Sequence, residues 1–186
     1  MMNSVENITQ HILAYAKGEK IELGIIVDAL YEQLCIMANI QLNKINPNSI
    51  TPHELVHEVY LKFSNSLSIN ANGRNHFLAL AATAMRQLII DQCKVKFSLK
   101  RGGNICFTTL TDSKLPIQEN MVEILLVHKA LENLKKMQPK LSATVECRYF
   151  AGYTDQETAD ALGVNIRTVR RYWKRAKKWL FLELDR

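Results

Sequence analysis

The chain lacks the features that would place it in several large protein classes. Its four cysteines, Cys35, Cys93, Cys106 and Cys147, stand far apart, with no Cys-x-x-Cys pair. That excludes a disulfide framework and a zinc ribbon, and Cys35 and Cys147 fall in apolar helical patterns as reduced core residues. No run of about twenty apolar residues is present to span a membrane. The opening residues MMNSVENITQ have neither a basic segment nor an apolar one, so a secretion signal is not expected. No glycine-rich phosphate loop, internal repeat or low-complexity tract occurs. No Ser-His-Asp arrangement can be assembled. These absences point to a cytoplasmic protein with no catalytic residue, no cofactor, no metal and no small-molecule substrate.

What is present is helix. Hydrophobic residues make up 47% of the 186, enough for a packed core in one ordinary domain or two small ones. Ser4 can cap a first helix with Val5, Ile8, Ile12, Leu13 and Ala16 inward, ended by Gly18. A second spans about Glu22 to Asn43, with Val27, Leu30, Tyr31, Leu34, Met37, Ala38 and Leu42 as its stripe. Asn46-Pro47-Asn48 reads as a turn. Thr51-Pro52-His53-Glu54 opens a third helix: Thr51 caps, Pro52 sits where its missing N–H costs nothing, and Glu54 closes a capping box. Leu55, Val56, Val59, Tyr60 and Phe63 form its dry face. Glu54, His57, Glu58 and Leu61 form another face that the core does not need. A polar loop over residues 64–75 precedes HFLALAATAMRQLIID, His76 to Asp91, a central helix buried on most sides.

The texture then changes. Lys94, Lys96, Lys100, Arg101, Gly102 and Gly103 lead into a stretch without helical period that contains Pro116, the best linker candidate. Two further helices, Met121 to Met137 and Pro139 to Ala151, follow. The fold class expected is all-α: two small helical domains, 1–98 and 122–186, joined by a flexible linker, 99–121.

The stretch TDQETADALGVNIRTVRRYWKRAKK, Thr154 to Lys178, reads as a helix-turn-helix. Thr154 and Glu157 make a capping box. Ala159 is small where a second helix must cross, Gly163 supplies the turn and Asn165 can cap the next helix. There Val169, Tyr172, Trp173, Ala176 and Leu180 make one apolar stripe. Arg167, Arg170, Arg171, Lys174, Arg175, Lys177 and Lys178 fill the remainder with no acid among them. The helix dipole explains Lys177 and Lys178 at the C-terminal end but opposes Arg167 and Arg170 near the start. Charge follows the same division. Residues 122–186 hold 13 Lys and Arg against 8 Asp and Glu, whereas residues 1–121 hold 11 against 10. A cationic face concentrated on one helix suits a polyanion, and a DNA major groove in particular.

Three blocks in this order resemble one family, the compact extracytoplasmic-function group of sigma-70-class RNA polymerase sigma factors. ELVHEVYLKF, Glu54 to Phe63, resembles its clamp-binding helix, with His57 where glutamine is common. HFLALAATAMRQLIIDQCK resembles its promoter-melting helix, with Arg86-Gln87 where Arg-Asn is common. The segment from Val127 to Leu180 resembles its −35-binding domain. The resemblance implies a sigma-two-like and a sigma-four-like domain. It implies binding of core RNA polymerase, through its β′ clamp helices and β flap, by Glu54, His57, Glu58 and Leu61. It implies −10 contacts from Asn70, Asn72, Arg74, Asn75, Arg86 and Lys94. It implies −35 contacts from Asn165, Arg167, Thr168, Arg170, Arg171, Lys174 and Arg175. Promoter DNA is thus the second partner, and an anti-sigma factor is a candidate third. Two alternatives stay open: a helix-turn-helix regulator that does not bind polymerase, and a zinc hydrolase using His53-Glu54-Leu55-Val56-His57.

Overall fold

The computed structural model describes residues 4–45, 50–66, 69–100 and 116–185. Among them the order is α1 (Ser4–Ala16), α2 (Glu22–Ile45), α3 (Pro52–Ser64), α4 (Arg74–Lys100), α5 (Pro116–Met137), α6 (Pro139–Val145), a π-helical turn (Glu146–Phe150), α7 (Asp155–Leu162) and α8 (Ile166–Leu184). No strand occurs among the described residues. The all-α expectation therefore holds. The Asn46-Pro47-Asn48 turn and most of the expected linker, residues 101–115, lie outside the described residues.

Local chemistry sets the helix ends. Thr51 accepts a hydrogen bond from Glu54 N while Glu54 takes the Thr51 N–H, and Thr154 and Glu157 repeat the arrangement at α7. Gly18 ends α1 at φ 106°. Pro116, assigned to the linker by its proline, is instead the first residue of α5. A proline at the first helical position loses no hydrogen bond and arrives with φ already set. The long helix α4 begins at Arg74 and runs to Lys100, beyond the Asp91 end that periodicity suggests.

Helices α1 to α4 enclose the larger core. Ile12, Leu23, Ile26, Leu34, Leu55, Phe77, Met85 and Ile89 are almost wholly buried in it. Two expectations differ. Leu13 is exposed and Tyr15 goes in its place, its hydroxyl donating to Phe63 O at 2.8 Å. Tyr31 is exposed rather than part of the α2 stripe, with its hydroxyl 2.9 Å from His53 Nδ1. Both tyrosines pack an apolar ring while their hydroxyls find partners, which periodicity does not encode. By length and composition Glu22–Lys44 would suffice to cross a membrane. Here Leu23, Ile26, Leu30, Leu34, Met37, Ala38 and Leu42 are buried against neighbouring helices, so the apolar content belongs to the core.

Leu131, Leu134, Leu141, Val145, Phe150 and Ala176 form a second core under α5, α6 and α8. The two halves touch. Ala151 belongs to the first core, and Ala79 of α4 packs with Cys147 and Ala161. Gly152 adopts φ +73°, and a Cβ there would meet Ile40 Cδ1 at 3.3 Å.

Gly152→Ala should therefore destabilise the protein by about 1 kcal/mol or more, because φ > 0 and a tight neighbour both oppose it. Gly24→Ala, inside α2 with open space around it, should stabilise by about 0.5–1 kcal/mol. Chemical denaturation of both variants checks this; shifts of the same sign would contradict the backbone assignment.

Candidate nucleic-acid interface and partner face

The α7–α8 pair is assembled from its caps. Gly163 ends α7 in the left-handed region at φ 62°, and Asn165 Oδ1 accepts from Thr168 N at 2.8 Å to start α8. Ala159 is buried where the helices cross, and Val169 and Ala176 seat α8 with no exposure at all. The seated stripe turns the other side of α8 outward: Arg167, Arg170, Arg171, Lys174, Arg175, Lys177 and Lys178 are all exposed.

The expected −35 residues are not equivalent. Arg170 Nε donates to Asp155 Oδ2 at 2.8 Å while staying 71% exposed, and Arg148 pairs with the same carboxylate from the other side. The Arg148 guanidinium lies over the Trp173 ring. Asp155, at the start of α7, thus ties α8 to its neighbour. Arg175 donates to Gln138 Oε1 at 3.1 Å, and Arg171 rests against the Tyr172 ring. Arg167 and Lys174 have no hydrogen-bond or ion-pair partner among the described residues. Asn165 and Thr168 are joined in the cap. The role of Asp155 was absent from the sequence-derived set; its sign in the sequence is an acid at the first helical position of α7.

On α3, Glu54, His57, Glu58 and Leu61 are all exposed on one side. Glu54 is already engaged: its Oε2 accepts from Thr51 N at 2.7 Å and from Thr51 Oγ1 at 2.9 Å. The backbone N–H of Thr51 holds this carboxyl below the usual range. His57 stacks on Tyr60. His53 stacks on Tyr31, and no group of three His, Cys, Asp or Glu converges on a metal position among the described residues. The zinc-hydrolase alternative gains no third ligand from the fold.

The expected −10 residues separate into three groups. Asn70 and Asn72 are exposed and Arg74 and Asn75 half-buried, all around the start of α4. Asn72 Oδ1 lies 2.8 Å from His76 Nδ1, and Asn75 O accepts from the Tyr153 hydroxyl at 2.8 Å. Lys94 is on the surface, 3.4 Å from Asp91. Arg86 is different: it is 2% exposed, in the crevice between the halves. Its Nε donates to Glu146 Oε1 and Oε2 at 2.9 and 3.1 Å. Its Nη1 reaches His128 Nδ1 at 2.6 Å, and its Nη2 reaches Glu132 Oε1 at 3.5 Å. Burial, then the Arg86 charge, pulls the His128 imidazole down, so its neutral ring accepts from the guanidinium. Burial pushes the Glu146 carboxyl up, against the pull of Arg86. Neighbouring Cys147 is pushed up to about 12 by burial and is an unreactive thiol. The pairing of Arg86 with a residue 60 positions away leaves no periodic trace in the sequence.

These features define a class: an all-helical chain carrying a capped, acid-free cationic helix on one side and a mixed polar-apolar helix face on another. A family profile described as ECF sigma factor matches residues 5–186, so the chain belongs to the ECF sigma factor family, whose members act in transcription initiation without catalysing a reaction. A search of curated proteins finds no match.

Asn165 can be assigned between cap and contact. Asn165→Ala should cost about 1 kcal/mol of stability. Asn165→Asp keeps the acceptor, so stability should stay near wild type while an added anion weakens DNA binding. Thermal melts beside DNA titrations check this; an Asp variant as unstable as the Ala variant would remove the capping role.

Proposed function

We propose that this protein binds core RNA polymerase and directs sequence-specific promoter recognition, −10 melting and transcription initiation. The observation that carries the reading is the α8 surface, seven exposed cations with no acid among them, within a chain of the ECF sigma factor family. Residues 122–186 serve as the −35-reading domain and residues 1–98 as the core-binding and −10 domain, with the chain between them entering the polymerase cleft. Arg167 and Arg170, nearest the N-terminal end of α8, are the base readers, as bidentate donors to guanine O6 and N7. Arg171, Lys174 and Arg175 bind phosphates. Asn70, Asn72, Arg74, Asn75, Arg86 and Lys94 hold the opened −10 strand, with a flipped base near residues 64–75. Glu58, His57 and Leu61, with Glu54 behind them, meet the β′ clamp helices, and the C-terminal domain meets the β flap. Strand opening needs no catalytic group, since preferential binding of unpaired bases shifts the population. The protein works in the cytoplasm on the nucleoid, and an anti-sigma factor is a fitting regulator.

Glu58→Lys and His57→Ala should each weaken binding to core polymerase while changing stability by no more than about 0.5 kcal/mol, as exposed substitutions do. Affinity measured against purified core checks this, and unchanged affinity in both variants removes the α3 face from the reading. Arg167→Ala and Lys174→Ala separate the roles on α8. The first should cost about 1–3 kcal/mol on the preferred −35 element and flatten preference at one position. The second should weaken all sequences alike and lower the salt slope by about one unit. Equal binding by both variants and wild type would leave α8 without a DNA role; DNA binding without any affinity for core would favour a regulator that does not use polymerase.

A further inference from the structure

Two arginines meet on one carboxylate beside α8. Asp155 is the first residue of α7, where the helix dipole favours an acid. Its Oδ1 accepts from Arg148 Nη1, and its Oδ2 accepts from Arg170 Nε at 2.8 Å. Both oxygens are thus engaged, and the side chain is half-buried. Arg148, on the π turn, is held in its own place by the Trp173 ring, 5.0 Å from guanidinium carbon to ring centre. Trp173 packs against the second core. The carboxylate is therefore fixed by its own helix and by a braced arginine. Arg170 is the exposed partner, the fifth residue of α8. Neither of its Nη groups bonds to a described residue. An exposed ion pair of this kind adds little to stability; what it sets is the direction of Arg170.

We infer that Asp155 is a positioning residue that makes Arg170 a guanine reader, holding its guanidinium by Nε so that Nη1 and Nη2 are presented together to guanine O6 and N7. This deepens the proposed function and rests on α8 being the −35-reading helix. Guanine is read when two N–H groups of one planar fork meet both acceptors at once. A free arginine must freeze several rotatable bonds to do so. A guanidinium already anchored at Nε has lost much of that freedom before DNA arrives. The acid also acts on the competing ligand. A carboxylate beside the fork repels a phosphate and offsets part of the arginine's charge, whereas a base edge carries no net charge. Asp155 thus weakens the pull of the DNA backbone on Arg170 and leaves the base contact favoured. General affinity is lowered and discrimination is raised.

The test is duplex binding by the full chain, alone and with core polymerase, across a randomised −35 library at several salt concentrations. Arg170→Ala marks the position that Arg170 reads. Wild type should prefer guanine there, and 7-deazaguanine, which lacks the N7 acceptor, should remove most of the preference. Asp155→Ala should lower the guanine preference at that position about tenfold. It should also bind non-preferred duplex about threefold more tightly, with a salt slope steeper by about one unit, because an anion is gone and Arg170 turns to phosphate. A merely structural tie between α7 and α8 gives the opposite second result, weaker binding to every sequence. Combining Asp155→Ala with Arg170→Ala should lower the preference no further than Arg170→Ala alone. Asp155→Asn keeps the shape but replaces a charge-assisted hydrogen bond with a neutral one, about half as strong, and its preference should fall between wild type and Asp155→Ala. If Asp155→Ala loses helicity, Asp155→Asn decides. Guanine preference kept in full by the deciding variant, or binding weakened alike on all sequences, would overturn the positioning role. A preference that Arg170→Ala or 7-deazaguanine leaves intact would overturn the guanine contact. A wild type with no base preference, alone or with core, would instead overturn the −35 reading itself.

Discussion

A guanidinium cannot be left alone inside a protein. Arg86 is 2% exposed, and an isolated buried charge costs several kcal/mol, a large part of a domain's stability. Its surroundings answer that demand: a carboxylate from the π turn, an imidazole held neutral, a second carboxylate at the edge and the Phe150 ring against its face. Much of the junction between the halves follows. Glu146 faces α4 from the first residue of the π turn that follows Val145. The widened turn presents its carbonyls to α2, where Gln41 and Lys44 accept the task of donors. A charge pair of this kind adds little net stability, but any other seating of the halves would strand Arg86.

The same economy shapes the outer faces. Asp155 holds Arg170 and Arg148 together and so fixes α8 on α7, while Arg167 and Lys174 have no such partner among the described residues. Helix α8 therefore carries two kinds of cation, those tied to neighbouring side chains and those with no such partner among the described residues. The α3 face shows a similar division: Glu54 serves its own helix, and His57, Glu58 and Leu61 are left outward.

What could be read from the sequence was local. Caps are decided within four residues, so Thr51 with Glu54, Thr154 with Glu157, Gly163 and Asn165 were all legible. The α8 stripe and its cationic reverse were legible because one helix surface contains both. Family resemblance supplied the sigma-factor class, which the match over residues 5–186 supports. The burial of Tyr15 in place of Leu13, and the exposure of Tyr31, are not legible in the periodicity because each tyrosine's position depends on a distant hydroxyl partner, Phe63 O for one and His53 for the other. Pro116 falls in the expected linker yet begins α5, because proline both ends and begins helices and only the following residues decide. The burial of Arg86 was beyond reach, since no periodicity marks a cation whose partner lies 60 residues on.

The claim on which the rest stands is that this chain makes core polymerase start at chosen sites. In vitro transcription with purified core polymerase and a pool of genomic promoter fragments measures it directly. Discrete transcripts from a subset of fragments, appearing only when the protein is added, are the predicted result. A core enzyme that gives the same transcripts with and without the protein, on every fragment, would contradict it.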